Sequence, residues 1–326
     1  MYESEIDSST LFWQNVRSFA LDATEKAAIA CASHRGGGDK IAADEAAVRA
    51  MTTAFETSMF DIRVATGEGE LDNAPMFSAG DRFGVSHGRQ IDLAVDPLEG
   101  TTLCSLDMPG SVTVLAAAEG NTLITAPDSY MKKLMVGPNF PAALVDVDRP
   151  VRDVVEDYVR HVGKTVNEVS VCVLDKPRHK TLIDEIRSSG AFVYLIPDVD
   201  VPAALWVCDP EYFGVDLYMG TGGGPEGIIS AAALRCLGGS MSARFVAHND
   251  AQRAKLDAFP GDLLTTKFDL QSMVSGEAVF SMTGVTGSKG LSDVIIKSNT
   301  ASTQSVILSS FLKTKETIFN ETPQLK

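Results

Sequence analysis

The sequence predicts an α/β protein of two domains, an α+β domain over residues 1–148 followed by an α/β domain over residues 149–326. Three observations support this prediction. The chain has 326 residues, of which 44% are hydrophobic, so it can bury a large core or two smaller ones. Helical patterns and short alternating strands are mixed in the first half. After about Pro150, apolar strands and helical patterns alternate regularly, which is typical of an α/β domain.

Two helices and two strands are predicted before residue 100. Apolar residues recur at helical spacing over residues 12–30, and the run ends at Gly36-Gly37-Gly38, a strong helix stop. Residues 42–55 form the second predicted helix. Residues 61–65 and 91–95 alternate between apolar and polar, as strands do, and each runs directly into an acidic motif.

The later elements are predicted from turns and apolar runs. Residues 111–118 and 122–126 flank Glu119-Gly120-Asn121, a pattern typical of a β-hairpin. Apolar strands are predicted at residues 169–174, 192–196 and 215–218. The last residues, 314–326, are polar and contain Pro323, so we expect them to fray.

Acidic residues dominate the charge of the chain. Lys and Arg total 28 against 43 Asp and Glu, and the formal net charge is -15 at pH 7. Such a charge opposes binding to nucleic acid or to an anionic membrane. It also repels an anionic substrate, so a site for one needs bound cations and a few well-aimed basic groups.

The cysteines and the N-terminal residues indicate the compartment. The five cysteines are widely spaced, so we expect buried, reduced thiols rather than a zinc site or a redox pair. No apolar run approaches the roughly 18 residues that span a bilayer, and residues 1–7 are acidic where targeting segments are basic. We therefore expect a cytoplasmic protein; the plastid stroma, after removal of a transit peptide, is the alternative.

Asp96-Pro97-Leu98-Glu99-Gly100-Thr101 is the motif most indicative of chemistry. A strand delivers Asp96 and a tight turn presents Glu99 three residues later, so two carboxylates point into one small volume. Crowded carboxylate oxygens suit Mg²⁺ or Mn²⁺, because without a cation their repulsion favours protonation of one of them. Gly100 and Thr101, at a predicted helix start, can hold a phosphate oxygen. The alternative is a turn whose carboxylates only cap the next helix.

Further acidic residues precede this motif. Gly67-Glu68-Gly69-Glu70-Leu71-Asp72-Asn73 follows a predicted strand, and its alternative is a solvated acidic loop. Together with the Asp96 motif it favours a two-metal site, because phosphate-ester hydrolysis needs cations at both the attacking water and the leaving oxygen. Asp39, beside Lys40, fits an N-cap of the second helix, whereas Asp44 lies in an alanine-rich stretch that would normally be buried.

Glycine-rich and basic segments in the second half fit phosphate binding. Gly220-Thr221-Gly222-Gly223-Gly224-Pro225-Glu226-Gly227 joins a strand to a helix, a design that cradles phosphate with backbone N–H groups; a structural turn is the alternative. Lys176-Pro177-Arg178-His179 and Asp198-Val199-Asp200 follow predicted strands, where open α/β sheets keep their ligand sites. Other histidines have no partner spacing and are interpreted as ordinary residues: His34, His87, His161 and His248.

In this order the segments resemble the class II fructose-1,6-bisphosphatases, a branch of the lithium-sensitive phosphatase superfamily that includes the inositol monophosphatases. The superfamily motif is usually Asp-Pro-Leu-Asp-Gly-Thr, and Glu99 in place of the second Asp is typical of class II. The likeness runs from about the first helix to at least Gly239. The other matching stretches are Gly38-Asp39-Lys40, Ala43-Asp44-Glu45, Gly67-Glu68-Gly69-Glu70, Ala74-Pro75-Met76, Asp92-Leu93-Ala94-Val95-Asp96, Ala126-Pro127-Asp128-Ser129-Tyr130-Met131, Lys176-Pro177-Arg178-His179 and Gly222-Gly223-Gly224-Pro225-Glu226-Gly227.

The resemblance implies a layered αβαβα sandwich, assembled as a homodimer or homotetramer, that hydrolyses the 1-phosphate of fructose-1,6-bisphosphate with two or more Mg²⁺ or Mn²⁺ ions. Some family members also hydrolyse sedoheptulose-1,7-bisphosphate. By position, it implies metal ligation by Asp44, Glu68, Asp96, Glu99 and Glu226. It implies contacts to sugar and phosphate from Lys40, Gly100, Thr101, Tyr130, Lys176, Arg178, Asp198, Asp200 and Gly222.

The expected mechanism uses Thr101, oriented by Asp44, to position and help deprotonate a water for in-line attack, without a phosphoenzyme. Departures from the family pattern bear on substrate preference more than on chemistry: Val199 stands where Gly is usual, Thr221 stands where Ile is common, and Phe77-Ser78-Ala79-Gly80-Asp81 replaces Leu-Tyr-Ile-Gly-Glu. Two alternatives stay open. The shared superfamily motif allows an inositol-monophosphatase-like phosphatase, and the departures allow a catalytically silent sugar-phosphate-binding protein.

Overall fold

The computed structural model describes residues 7–68 and 77–323. The α-helices in these ranges are α1 (Ser8–Ala32), α2 (Lys40–Glu56), α3 (Thr101–Ser105), α4 (Val151–Val162), α5 (Lys180–Ser189), α6 (Ala203–Trp206), α7 (Pro210–Phe213), α8 (Gly224–Leu237), α9 (Asp250–Asp257) and α10 (Leu270–Met273). The 3₁₀ helices are Ala142–Leu144, Val166–Glu168 and Pro177–His179.

The strands of the described residues form two large sheets and one small one. They are β1 (Asp61–Gly67), β2 (Arg82–Gly84), β3 (Gln90–Glu99), β4 (Val112–Glu119), β5 (Tyr130–Val136), β6 (Ser170–Leu174), β7 (Phe192–Ile196), β8 (Leu217–Gly223), β9 (Ser240–Val246), β10 (Phe268–Asp269), β11 (Ala278–Gly284), β12 (Thr286–Ser288), β13 (Leu291–Asp293), β14 (Ile295–Ile296), β15 (Thr300–Ser309) and β16 (Thr314–Pro323). The first sheet has the order β14-β15-β11-β4-β3-β1-β2, with β16 also paired to β15, and the second has the order β10-β9-β5-β8-β6-β7. Strands β12 and β13 pair separately.

Helix α8 lies between the two large sheets. It contacts β3, β4 and β11 of the first sheet and β5, β8 and β9 of the second, and its residues are buried almost throughout. Helices α1 and α2 cover the outer face of the first sheet, and α4 and α5 cover the outer face of the second. The layers therefore run helix, sheet, helix, sheet, helix, which confirms the predicted α/β fold and its αβαβα sandwich.

The sheet pairing does not follow the domain boundary predicted between residues 148 and 149. Strand β5 precedes that point, yet it pairs between β8 and β9 in the second sheet. Strands β11 and β15 follow it, yet they pair in the first sheet beside β4. Each sheet thus combines segments from both sides of the predicted boundary.

Most predicted elements are confirmed. Helices α1 and α2 extend the predicted spans by a few residues, and Asp39 is the N-cap of α2, since its Oδ1 accepts hydrogen bonds from the backbone N–H groups of Ile41 and Ala42 at 3.1 and 3.0 Å. Strands β1, β3, β6, β7 and β8 all overlap the predicted runs. Strand β8 continues to Gly223 and α8 starts at the next residue, so the predicted glycine loop is a direct strand-to-helix junction.

Two predicted features are wrong. Residues 122–126 do not return along β4 as a hairpin, because the N–H groups of Thr122 and Leu123 donate to Asp92 Oδ2 at 3.0 and 3.2 Å, and Leu123 bridges to Val274. Of the predicted frayed tail, residues 314–326, the part over 314–323 does not fray, because all ten residues of β16 pair with β15; residues 324–326 lie outside the described residues. The polar pattern there reflects a strand at the edge of the sheet with one exposed face.

Candidate active site and metal centre

Two parallel neighbouring strands bring the first carboxylates together. Strands β1 and β3 run parallel, with Gly67 aligned to Val95, so Glu68, the residue after β1, lies level with Asp96, which is still within β3. Asp96 is fully buried, and its Oδ1 accepts a hydrogen bond from the Leu98 N–H at 3.0 Å. The pairing of β3 with β4 is irregular between Asp96 and Glu99, which turns the chain toward α3.

Helix α8 supplies the third carboxylate of a cluster that could hold a metal ion. Pro225 occupies its first turn and Glu226 follows, at the helix end where the dipole favours negative charge. Ligand oxygens of Glu68, Asp96 and Glu226 all lie within 4.8 Å of one another. This spacing and the oxygen donors fit a hard divalent cation such as Mg²⁺ or Mn²⁺.

Unpartnered oxygens point to the same conclusion. Asp96 Oδ2, Glu99 Oε2 and Glu226 Oε2 are buried and have no hydrogen-bond partner among the described residues. Buried polar atoms are normally satisfied, so three orphaned carboxylate oxygens in one cluster indicate an ion as their partner.

Burial and the crowding of these carboxylates together raise their pKa values. For Glu68 the main cause is the neighbouring charge of Asp96, followed by burial. For Asp96 and Glu99 the main cause is burial, followed by the charges of Glu226 and Asp200 respectively, and both pKa values lie well above the usual range. Burial also raises the pKa of Glu226, to about 7. A bound divalent cation would reverse these shifts by favouring the ionised forms.

Glu99 connects the first sheet to the loop after β7. Its Oε1 accepts hydrogen bonds from the backbone N–H groups of Asp200 and Val201, at 2.8 and 3.5 Å, while Oε2 is left for another partner. The carboxylate is 7% exposed, so these contacts fix its direction. A carboxylate of the first sheet is therefore held by the backbone of a loop that follows a strand of the second sheet.

Gly100 and Thr101 form the turn between β3 and α3. Gly100 has φ +84°, and a Cβ there would lie 2.6 Å from Val199 Cγ2, so only glycine fits. Thr101 is half-buried, begins α3 and lines the cavity beside Asp96 and Glu99. Asp44, half-buried on α2, is near enough for its charge to help raise the pKa values of Glu68 and Asp96.

A cavity of about 630 Å³ opens over the cluster. The predicted site residues that line it are Glu68, Asp96, Glu99, Gly100, Thr101, Tyr130, Lys176, Arg178, Asp198, Asp200, Gly222 and Glu226. Asp44 and Lys40, both within the described part of the chain, do not line it: Asp44 is half-buried on α2, and Lys40 is exposed at the first turn of α2. The acidic residue Glu70 and the Ala74-Pro75-Met76 stretch lie outside the described residues.

Basic side chains form the opposite wall. Lys176 Nζ lies 3.2 Å from Asp198 Oδ1, and the Arg178 guanidinium lies 5.4 Å from the centre of the Tyr130 ring. Arg178 Nε donates to the Thr221 carbonyl at 2.9 Å, which anchors it to β8. The neighbouring His179 is buried and bridges β6 to β8: its Nδ1 contacts the Leu174 carbonyl, and its Nε2 accepts from the Thr221 N–H at 2.7 Å. Burial lowers the pKa of His179, and Nε2 carries no proton because it accepts this hydrogen bond.

The loop at residues 198–200 has a left-handed residue where the family pattern has glycine. Val199 has φ +64° and is buried. Asp200 is also buried, and its Oδ2 accepts from the Tyr218 hydroxyl at 2.5 Å and pairs with Lys133 Nζ at 2.6 Å. Asp198 thus faces the cavity with Lys176, whereas one oxygen of Asp200 is already engaged within the protein.

The sequence prediction missed several residues of the site. Lys133 lies at a buried position of the mostly apolar strand β5. A lysine in such a pattern indicates a buried, paired charge, so the sequence contained a signal for this residue. Asp128 belongs to a matching motif, lines the cavity and contributes to the raised pKa values of Glu68 and Glu226. Gln252 and Lys255 of α9 also line the cavity, and no motif marks them.

In residues 7–68 and 77–323, no helix has the length and apolar character needed to cross a membrane.

Comparison with known proteins gives consistent matches over most of the chain. Residues 14–321 match the family model described as bacterial fructose-1,6-bisphosphatase, glpX-encoded. The chain is 37% identical over 298 residues to a protein of Haemophilus influenzae named fructose-1,6-bisphosphatase class 2, covering 87% of this chain and 89% of the relative. It is 35% identical over 300 residues to fructose-1,6-bisphosphatase 1 class 2 of Escherichia coli K12, covering 87% and 88%.

Proposed function

The chain belongs to the bacterial, glpX-encoded fructose-1,6-bisphosphatase family, and from this membership we propose that it hydrolyses the 1-phosphate of fructose-1,6-bisphosphate to fructose-6-phosphate and phosphate. The observation that supports this most directly is the cluster of Glu68, Asp96 and Glu226, whose ligand oxygens converge within 4.8 Å beneath a cavity with a basic wall. Metal-dependent phosphoester hydrolysis needs both parts.

The carboxylates would hold the metal ions. Glu68, Asp96, Glu99 and Glu226 offer the ligand oxygens, with Asp44 behind them. When bound, Mg²⁺ or Mn²⁺ supplies positive charge that polarises the phosphoryl oxygens and lowers the pKa of water. Two or more ions in each site, of either metal, are part of the proposal.

The remaining residues of the site bind and orient the substrate. Lys176 and Arg178 supply the local positive charge that an acidic chain needs in order to attract a bisphosphate. Tyr130, Asp198 and Gly222 border the space in which the sugar would lie. We assign Thr101, oriented by Asp44, to position the attacking water for in-line attack and to help deprotonate it, with the Thr101 hydroxyl passing its own proton to the Asp44 carboxylate.

Assembly and location belong to the same proposal. We infer a homodimer or homotetramer, and a cytoplasmic location in keeping with the bacterial relatives. The division into a catalytic part, residues 1–148, and a sugar-phosphate-binding part, residues 149–326, is retained as a division of roles. Metal ligands come mainly from the first part, and the basic wall comes from the second.

Phosphate release from purified protein tests the function. The protein is stripped with a chelator, loaded with Mg²⁺ or Mn²⁺, and assayed with fructose-1,6-bisphosphate, sedoheptulose-1,7-bisphosphate and inositol monophosphate. We expect release from fructose-1,6-bisphosphate that depends on the added metal, and little release from inositol monophosphate. A preference for inositol monophosphate, or tight binding of the bisphosphate without release under either metal, contradicts the proposal.

A further inference from the structure

Lys133 is a buried cation beside the metal centre. It lies on β5 between Lys132 and Leu134, and its side chain is 0% exposed. Lysine is almost never fully buried unless it is paired, because its charge loses its hydration. The surroundings must therefore compensate this charge, and the nearest compensating group is the carboxylate of Asp200.

Two contacts hold the ammonium group. Nζ lies 2.6 Å from Asp200 Oδ2, in the loop after β7, and donates to the Gly223 carbonyl at 3.1 Å, at the junction of β8 and α8. The Lys133 side chain therefore links β5 to two other segments, the loop after β7 and the end of β8.

Each of these two segments contacts a carboxylate that the proposed function assigns as a metal ligand. The Asp200 N–H donates to Glu99 Oε1 at 2.8 Å, so the segment anchored by Lys133 also directs Glu99. Gly223 lies against Glu226: a Cβ on Gly223 would lie 1.8 Å from Glu226 Oε2. A shift of either segment would move a carboxylate of the cluster.

Charge acts in the same direction as position. The Lys133 ammonium group lies 2.6 Å from Asp200 Oδ2, so its positive charge offsets part of the negative charge gathered around Glu99 and Glu226.

We propose that Lys133 is a positioning residue of the metal centre, which holds Glu99 through Asp200 and Glu226 through Gly223 in the arrangement that binds the ion. The proposal rests on the proposed function in one respect, that these carboxylates are metal ligands. Lys133 does not touch substrate or metal; it acts through the residues that do. Partners of this kind typically contribute about 10- to 100-fold in metal affinity.

Binding of Mn²⁺ alone, without substrate, tests the proposal. Free Mn²⁺ is measured by electron paramagnetic resonance during titration of wild type, Lys133→Met/Asp200→Asn and Lys133→Arg. The double variant removes both buried charges together, so it avoids the uncompensated Asp200 that Lys133→Met alone would leave. We expect it to bind Mn²⁺ about tenfold or more weakly, and we expect Lys133→Arg, which keeps the charge, to recover part of this loss.

Lys132→Met is the matched control. Lys132 is the preceding residue on β5, so its side chain points to the opposite face, and it is exposed. The same substitution there should leave the Mn²⁺ affinity within about twofold of wild type.

The outcomes separate positioning from mere stability. A purely structural role would lower the melting temperature of the double variant but leave the Mn²⁺ affinity of its folded fraction unchanged, and that result overturns the proposal. If the double variant does not fold, the single variants Lys133→Arg and Asp200→Asn are compared instead. Wild-type Mn²⁺ affinity in Lys133→Arg together with weaker binding by Asp200→Asn supports the proposal. Wild-type affinity in both variants overturns it. Phosphate release by wild type is measured in parallel. Absence of release with an intact Lys133 effect on Mn²⁺ would contradict the proposed function and support this inference.

Discussion

Thr101 stands at the point where β3 ends and α3 begins, with a hydroxyl at the cavity wall. If it positions the attacking water, Thr101→Ala should lower kcat by about a hundredfold or more, since one aligned acid-base group contributes roughly this much. Substrate and metal affinity should change little, because the carboxylates and the basic wall remain. Steady-state phosphate release and Mn²⁺ titration measure the two effects.

The adjacent Thr102 provides the control for this prediction. It follows Thr101 in the same helix but is exposed and does not line the cavity. Thr102→Ala should therefore retain wild-type kcat. Equal loss in both variants would mean that the substitutions disturb α3 rather than the chemistry.

Val199 shows why glycine is usual at its position. A β-branched residue with φ +64° is strained by about 1–2 kcal/mol. The side chain is nevertheless buried and packs against Gly100, so packing offsets part of the strain. The left-handed backbone, which glycine adopts freely, is thus kept here by a residue that adopts it at a cost.

Replacing Val199 by glycine should therefore destabilise less than the same change nearby. Val201 is fully buried in the same core cluster, and its φ is negative. Val199→Gly and Val201→Gly remove the same atoms, but only the first relieves strain, so its free energy of unfolding should be higher by about 1–2 kcal/mol. Urea unfolding of both variants measures the difference, and equal losses would show that Val199 is not strained.

At the scale of elements, α2 depends on its first residue. The Asp39 carboxylate accepts hydrogen bonds from two backbone N–H groups, and α2 also carries Asp44, whose charge acts on Glu68 and Asp96. Asp39→Ala should cost about 1 kcal/mol of unfolding free energy, whereas Asp39→Asn should cost little, because asparagine caps as well as aspartate. Thermal unfolding compares them. An asparagine variant as unstable as the alanine variant would indicate that the charge, rather than the cap, is needed.

Elements with strong local signals could be predicted, and those decided by distant partners could not. The helical spacing of α1 and the N-cap Asp39 of α2 are local, and both predictions are confirmed. Residues 122–126 looked like a returning strand, but the N–H groups of Thr122 and Leu123 donate to Asp92, about thirty residues earlier in the chain. Strand β16 looked like a frayed tail, since its polar face hides the pairing that β15 provides.

At the scale of the whole molecule, the carboxylate cluster makes stability depend on pH and metal. Raised pKa values mean that the metal-free folded state binds protons more tightly than the unfolded state. This contribution to stability is fully present below the unfolded pKa of about 4 and is lost as the pH rises through the folded values, about 7 for Glu226.

In chelator-treated protein, the carboxylate cluster should therefore lower the melting temperature at about pH 8 relative to that at about pH 5.5. Added Mg²⁺ should raise the melting temperature more at the higher pH, because the metal binds the ionised carboxylates. Glu226→Gln should weaken both effects. Melting curves with and without metal at the two pH values test this, and an equal metal effect at both pH values would contradict it.

Motifs located the carboxylates of the site, but tertiary packing completed it. Asp96, Glu99 and Glu226 lie in recognisable patterns, and the parallel pairing of β1 with β3 places Glu68 among them. Lys133 contacts Asp200 across the second sheet, a contact that no local pattern contains. Likewise, no local pattern indicates that Gln252 and Lys255 of α9 line the cavity, because the tertiary fold brings this helix there.

The position of β11 affects how the chain is made. Strand β4 pairs with β3 on one edge and with β11 on the other, and β11 also pairs with β15. The second edge of β4 can therefore pair only after residues 278–284 have been synthesised. Until then a nascent chain holds β4, whose residues are nearly all apolar and buried in the folded protein, with one unpaired edge. Such an edge invites pairing with other chains, so we expect newly made protein to depend on chaperones and to aggregate when synthesis stalls before β11. The first sheet, which carries Asp96 and Glu99, therefore has its early strands synthesised long before β11 completes their pairing.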